Sequence, residues 1–183
     1  AAQLDGNIKE ADRHYRHALK MEPSNADAWH LSGAVAHTLG NLSDARKKVE
    51  QALQLEPDFP EALNTLGNIL KDQKELDAAV DAYSRAMKSK GGFAEIFANR
   101  GDAYRLAGEL RAAEADCQKA VRLKPCLSTA HGNLAAVLMD LKDWTGAELV
   151  LREAIRLDPE EVVFVINLSK TLVKLRRFEE ALD

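Results

Sequence analysis

Three asparagines, Asn99, Asn133 and Asn167, stand at one fixed spacing of 34 residues. A primary amide carries two N–H donors and a carbonyl acceptor, so a row of them can hold the backbone of an extended peptide whatever its side chains. Leu31 and Thr65 hold the same position in the two preceding periods, Asn64 and Asn68 lie beside Thr65, and Asp102 and Lys170 share the spacing of Asn68. Asp27, Glu61 and Glu95 form an acidic row; His37, Lys71 and Arg105 form a basic one. If the fold brings them to one face, Asn64, Asn68, Lys71, Asn99, Asp102, Arg105, Asn133, Asn167 and Lys170 could together contact a ligand of mixed charge. Other chemistry is missing from the sequence. It has no nucleophile elbow, no zinc-protease pair, no Walker lysine loop and no dinucleotide glycine fingerprint. His14 with His17, and His30 with His37, are spaced to share a helix face, but no carboxylate or cysteine completes a metal set. They are expected to be solvated histidines, with no metal, no cofactor and no catalytic residue in this stretch. Asn41-Leu42-Ser43 and Asn167-Leu168-Ser169 match the short glycosylation pattern and are taken as chance.

A repeated element must position these residues. Pro23, Pro57, Gly91, Pro125 and Pro159 recur every 34 residues. Proline ends a helix because its ring clashes with the preceding turn and it has no N–H to donate; glycine ends one by turning left-handed at little cost. Ala11, Ala45, Ala79, Ala113, Ala147 and Ala181 form a second column, and Ala18, Ala52, Ala86, Ala120 and Ala154 a third. Gly33, Gly67, Gly101, Ala135 and Ser169 form a fourth, always small. Large apolar columns fill the space between, among them Trp29, Leu63, Phe97, His131 and Val165. The two alanine columns lie seven residues apart and so share one helix face, where the small column is expected to meet them. A break near Gly6, Gly40 and Gly108 makes each unit two helices. First helices (A) are expected near 26–39, 60–73, 94–107, 128–141 and 162–175. Second helices (B) are expected near 8–22, 42–56, 76–90, 110–124 and 144–158, with a fragment from 178. Ser24 or Asn25, and Ser128, are N-cap candidates; Pro60 suits a first turn; Lys88, Lys90, Arg122 and Lys124 suit helix C-termini.

These columns resemble the tetratricopeptide repeat. Residues 60–93 carry its pattern in Leu63, Leu66–Gly67, Ala79, Tyr83 and Ala86, with Gly91 in place of the closing proline. Ser32 and Arg100 depart from the leucine before glycine, and Lys74, Lys142 and Arg176 from the turn glycine. The resemblance implies an all-α, right-handed superhelical solenoid of antiparallel helix pairs. It gives one array over 1–183: full repeats 26–59, 60–93, 94–127 and 128–161 between partial repeats 1–25 and 162–183. It also implies that the A helices line a concave face that takes a peptide or a partner helix. The asparagine column is similar to the ladder in O-linked N-acetylglucosamine transferase repeats, and His131-Gly132-Asn133-Leu134-Ala135 is similar to stretches there. The carboxylate clamp of chaperone-binding members is not matched. Asn68 and Asn99 fit its asparagines, but Asn64, Thr129 and Asn133 stand where its two lysines and arginine belong.

Composition agrees with a binding scaffold. The 183 residues are 46% apolar and 30% charged, with a net charge of −4. The pI near 5.8 argues against nucleic acid or an anionic membrane as partner. No segment approaches a membrane span. The first residues, lacking Met and an apolar core, read as the interior of a larger protein. Cys117 and Cys126 are expected to be free thiols, which favours a reducing, cytoplasmic compartment. Neither end shows a polar cap, so exposed apolar surface and self-association are expected there. The leading expectation is a non-enzymatic scaffold binding a peptide or partner helix in its groove. The alternative is a substrate-docking arm of a larger enzyme, of glycosyltransferase or sulfotransferase type.

Overall fold

The computed structural model describes residues 2–88 and 93–181, with side chains at residue 8 and from residue 10 onward. Gly91, Lys90, Leu182 and Asp183 lie outside the described residues. The described residues form ten helices and no strand. The chain divides into two compact units, Ala1–Gly91 and Gly92–Asp183. The first unit holds α1 (Ala2–Met21), α2 (Ala26–Thr38), α3 (Leu42–Leu55), α4 (Pro60–Asp72) and α5 (Leu76–Lys88). The second holds α6 (Ala94–Leu106), α7 (Leu110–Leu123), α8 (Ser128–Asp140), α9 (Trp144–Leu157) and α10 (Val162–Lys174). Even-numbered helices are of type A and odd-numbered ones of type B. Within each unit every helix packs on the next, and A helices also pack on A helices: α2 on α4, α6 on α8, α8 on α10.

The A-to-B turn is built the same way each time. The residue after the C-cap is left-handed: Gly40 at φ 76°, Lys74 at 66°, Gly108 at 83°, Lys142 at 64° and Arg176 at 61°. The next N–H then reaches back to the helix, Asn41 to Ala36 O, Glu75 to Leu70 O, Glu109 to Tyr104 O, Asp143 to Leu138 O and Arg177 to Leu172 O, each at 2.9 Å. This is the Schellman arrangement, which satisfies helix-end carbonyls that would otherwise lack a donor. The lysines and arginine that depart from the turn glycine therefore keep its geometry, at the steric cost of a left-handed Cβ.

The small columns are where helices touch. Ala45, Ala79, Ala113 and Ala147, and Ala52, Ala86, Ala120 and Ala154, are all 0% exposed. A Cβ placed on Gly33, Gly67 or Gly101 would sit 2.5 Å from Val49 Cγ2, Tyr83 Cε1 or Cys117 Sγ. On α2, α4 and α6 the small residue thus meets the residue between the two alanines of its B helix, together with backbone such as Ala45 O and Ala113 O.

Three expectations need correction, and one open choice is decided. No break occurs at Gly6: α1 runs unbroken from Ala2 to Met21, since glycine permits a turn without forcing one. Ser128 is the first residue of α8 and not its cap; Leu127 holds the cap position, with no side-chain bond. Of the two cap candidates for α2, Asn25 is the one used, its Oδ1 accepting from Ala28 N at 2.8 Å. Residues 178–181 form turns, not a helical fragment. Ala11, Ala18 and Ala181 are only half-buried, because their units have fewer neighbours to pack against.

Candidate functional site

In the first unit, polar pairs tie α2 to α4. His30 Nε2 lies 2.9 Å from Thr65 Oγ1. The Thr65 hydroxyl itself donates to Glu61 O at 2.9 Å, so it accepts from His30, whose proton sits on Nε2. Burial holds the His30 pKa below its ordinary value, against the opposing pull of Glu61 and Asp27. The edge of its ring meets Phe59, centroids 5.0 Å apart. His37 Nε2 pairs with Asp72 Oδ2 at 2.7 Å. No group of three metal-ligating side chains occurs among the described residues. Of the predicted contacts, Asn68 accepts from the Tyr83 hydroxyl at 2.7 Å and so faces its own B helix. Asn64 and Lys71 are half-buried on α4.

The second unit repeats the stitching with other chemistry. Asn133 Nδ2 on α8 donates to Ala98 O on α6 at 3.0 Å. Arg105 on α6 donates to Asp140 on α8 at 3.1 Å and to Asp102 at 3.0 and 3.2 Å. Burial opposes the Arg105 charge, but these two carboxylates outweigh it and raise the pKa. Asn99, Asn133 and Asn167 stand in one register on α6, α8 and α10, three successive A helices of one unit. All three are half-buried, and Lys170 is exposed. One Asn133 N–H is committed to Ala98, which fixes the plane of that amide and leaves its second N–H and its carbonyl oxygen. Asn167 makes no side-chain hydrogen bond among the described residues.

One polar constellation escaped the sequence reading. Arg100 grips Asp116 through Nε at 2.6 Å and Nη2 at 2.9 Å, between α6 and α7. Both side chains are largely buried, at 18% and 11% exposure. The guanidinium also lies 5.9 Å from the Phe97 ring centre and 5.6 Å from that of Tyr104. The bond to Asp116 raises the Arg100 pKa in spite of burial. Its signal was present: a cation in the leucine column and, sixteen residues on, the one anion in a column that otherwise holds His14, Lys48, Ala82 and Val150. Cys117 is buried, and burial pushes its thiol up to about 12, so it is no nucleophile. Both cysteines are free. On α10, Val162, Val163, Val165, Ile166 and Val173 are exposed, as is Phe178 beyond it.

The profile described as tetratricopeptide repeat matches residues 4–60, 38–94, 64–126 and 99–162. Solved structures of similar fold include PilF of Pseudomonas aeruginosa, at TM-score 0.81 and 20% identity over 98% of this chain and 81% of that one. MamA follows at TM-score 0.71 and 22% identity, covering 87% and 94%. YrrB, described as having an unusual peptide-binding site, matches at TM-score 0.68 and 18% identity, covering 92% and 87%. At these identities the likeness is one of fold. No curated protein sequence matches the chain.

Proposed function

Since the chain belongs to the tetratricopeptide repeat family, we propose that it is a protein-interaction scaffold whose A helices α6, α8 and α10 hold an extended peptide. The observation that carries this reading is the Asn133 amide, set by Ala98 O, in register with Asn99 and Asn167. An amide held in one plane loses little freedom when it takes up a peptide N–H and C=O. Asp102, Arg105 and Lys170 give the same face mixed charge. YrrB shows that a chain of this fold can carry a peptide site. On this reading the stretch binds and does not catalyse. Its second mode of association is with copies of itself, through the exposed valines of α10.

Backbone recognition has a direct test. A peptide selected from a random dodecapeptide library is titrated calorimetrically before and after N-methylation of alternate backbone amides. Methylation is expected to abolish binding, while side-chain replacements leave it within a few-fold. The opposite pattern would mean that side-chain pockets, and not amides, hold the ligand.

A further inference from the structure

The three A helices of the second unit present the asparagine register on faces of different charge. Side chains three, four and seven residues apart share one face of a helix. On α6 that face is charged, but its charges are engaged. Glu95 holds Lys124 at 2.6 Å, and Arg105 holds Asp102 of its own helix and Asp140 of α8. On α8 the residues one turn to either side of Asn133 are small or uncharged: Thr129, Gly132 and Ala136. Phe164 of α10 packs against Gly132, where a Cβ would meet its ring.

On α10 the face reads Val163, Ile166, Asn167, Lys170, Val173 and Lys174. It contains no carboxylate. The three aliphatic side chains are exposed, at 54%, 45% and 47%. Both lysines are exposed as well, and neither has an ion pair among the described residues. They stand four residues apart, so the two like charges repel each other. An anion placed between them relieves that repulsion, and no side chain of the helix supplies one.

Resting on the peptide-binding reading above, we infer that this face reads its peptide asymmetrically. The backbone is held over α8, and the segment over α10 is acidic and aliphatic. A side-chain carboxylate of the peptide lies between Lys170 and Lys174, and an aliphatic side chain lies against Val173. Packed helices are about 8–10 Å apart, and an extended chain advances about 3.3 Å per residue, so about three residues carry the peptide from α8 to α10. Alternate side chains of an extended chain point the same way, so a carboxylate and an aliphatic group two residues apart both face α10. The charge of the segment follows from the two unpaired lysines, and its place from the continuity of this face with Asn133 and Asn167.

The test uses the library-selected dodecapeptide, amidated at its C-terminus so that side chains supply its only carboxylates. Glutamate and lysine are placed at each position in turn. Each version is titrated at a chain concentration at which light scattering gives the monomer mass. The expected result is one stretch of about three residues at which glutamate binds about fivefold tighter than lysine, each within a few-fold of the parent peptide. The difference should shrink as salt rises. Lys170→Glu with Lys174→Glu should reverse the preference at that stretch and nowhere else. Leucine two residues from the preferred glutamate should bind about threefold tighter than serine there, and Val173→Ser should remove that gain. A flat charge scan, or a preference that the two-lysine variant leaves in place, overturns the inference. In that case abolition of binding by backbone N-methylation would still uphold the peptide reading, whereas failure of every library peptide to bind would remove both. A two-lysine variant that alters the self-association of the chain and not the charge preference would assign the face to a second copy, which also overturns the inference.

Discussion

Arg100 and Asp116 put a charged pair at the positions that Leu134 and Val150 fill one repeat later. The same backbone register therefore accepts both an ion pair and an aliphatic pair. Removing one partner leaves a desolvated charge, whereas replacing both with well-packed apolar groups is often neutral or stabilising. Arg100→Leu alone is expected to destabilise the second unit by about 3 kcal/mol. Arg100→Leu with Asp116→Val should recover most or all of that loss. Chemical denaturation of the four members of this cycle checks it, and additive losses would show that the pair is not coupled. His30 makes a pH prediction at the same scale. Its folded pKa lies below the unfolded value of about 6.5. The unfolded chain thus binds the proton more readily, and the stability of the first unit is full above that pH and falls as pH drops through the window below it. Thermal melts at pH 7.5 and 5 should converge in His30→Gln, which can still donate to Thr65. An unchanged pH dependence in that variant would assign the effect to other groups.

The helices were largely legible, since breakers and small residues recurred at one period and every A and B helix from α2 to α10 lies within a residue or two of its expected span. What the columns could not say was local. Gly6 looks like the turn glycines, but only a chain that actually reverses there uses a left-handed residue; Lys74, Lys142 and Arg176 do so without being glycine. Asn68 sits in the groove register, yet a tyrosine fifteen residues on turns its carbonyl inward. Such pairings depend on two columns at once. The Arg100–Asp116 pair likewise shows only when two columns are compared, a cation in one and an anion in the other. Packing of the alanine faces is the property the period predicts most strongly. Ala79→Leu or Ala113→Leu, each at a fully buried position, should cost about 1–3 kcal/mol by overpacking, read as a fall in melting temperature. An unaltered melting temperature would contradict the helix pairing.

Across the molecule, two compact units divide the labour differently. The first closes its A-helix face with His30–Thr65 and His37–Asp72. The second carries the asparagine register, the buried ion pair and the exposed valines of α10. Those valines lead to a prediction about assembly: the mass measured by light scattering should rise with concentration, and Val165→Glu with Ile166→Lys should hold the chain monomeric. A concentration-independent mass in the unaltered chain would remove self-association from the account. The central claim remains that the A-helix face of the second unit binds peptide backbone through Asn99, Asn133 and Asn167. Its most direct measurement is the dissociation constant of one library-selected peptide for the unaltered chain and for the Asn99→Ala, Asn133→Ala, Asn167→Ala variant, both shown to be folded by circular dichroism. Loss of three amides, each making hydrogen bonds of about 1 kcal/mol, predicts weakening by about a hundredfold. Equal dissociation constants would contradict the claim.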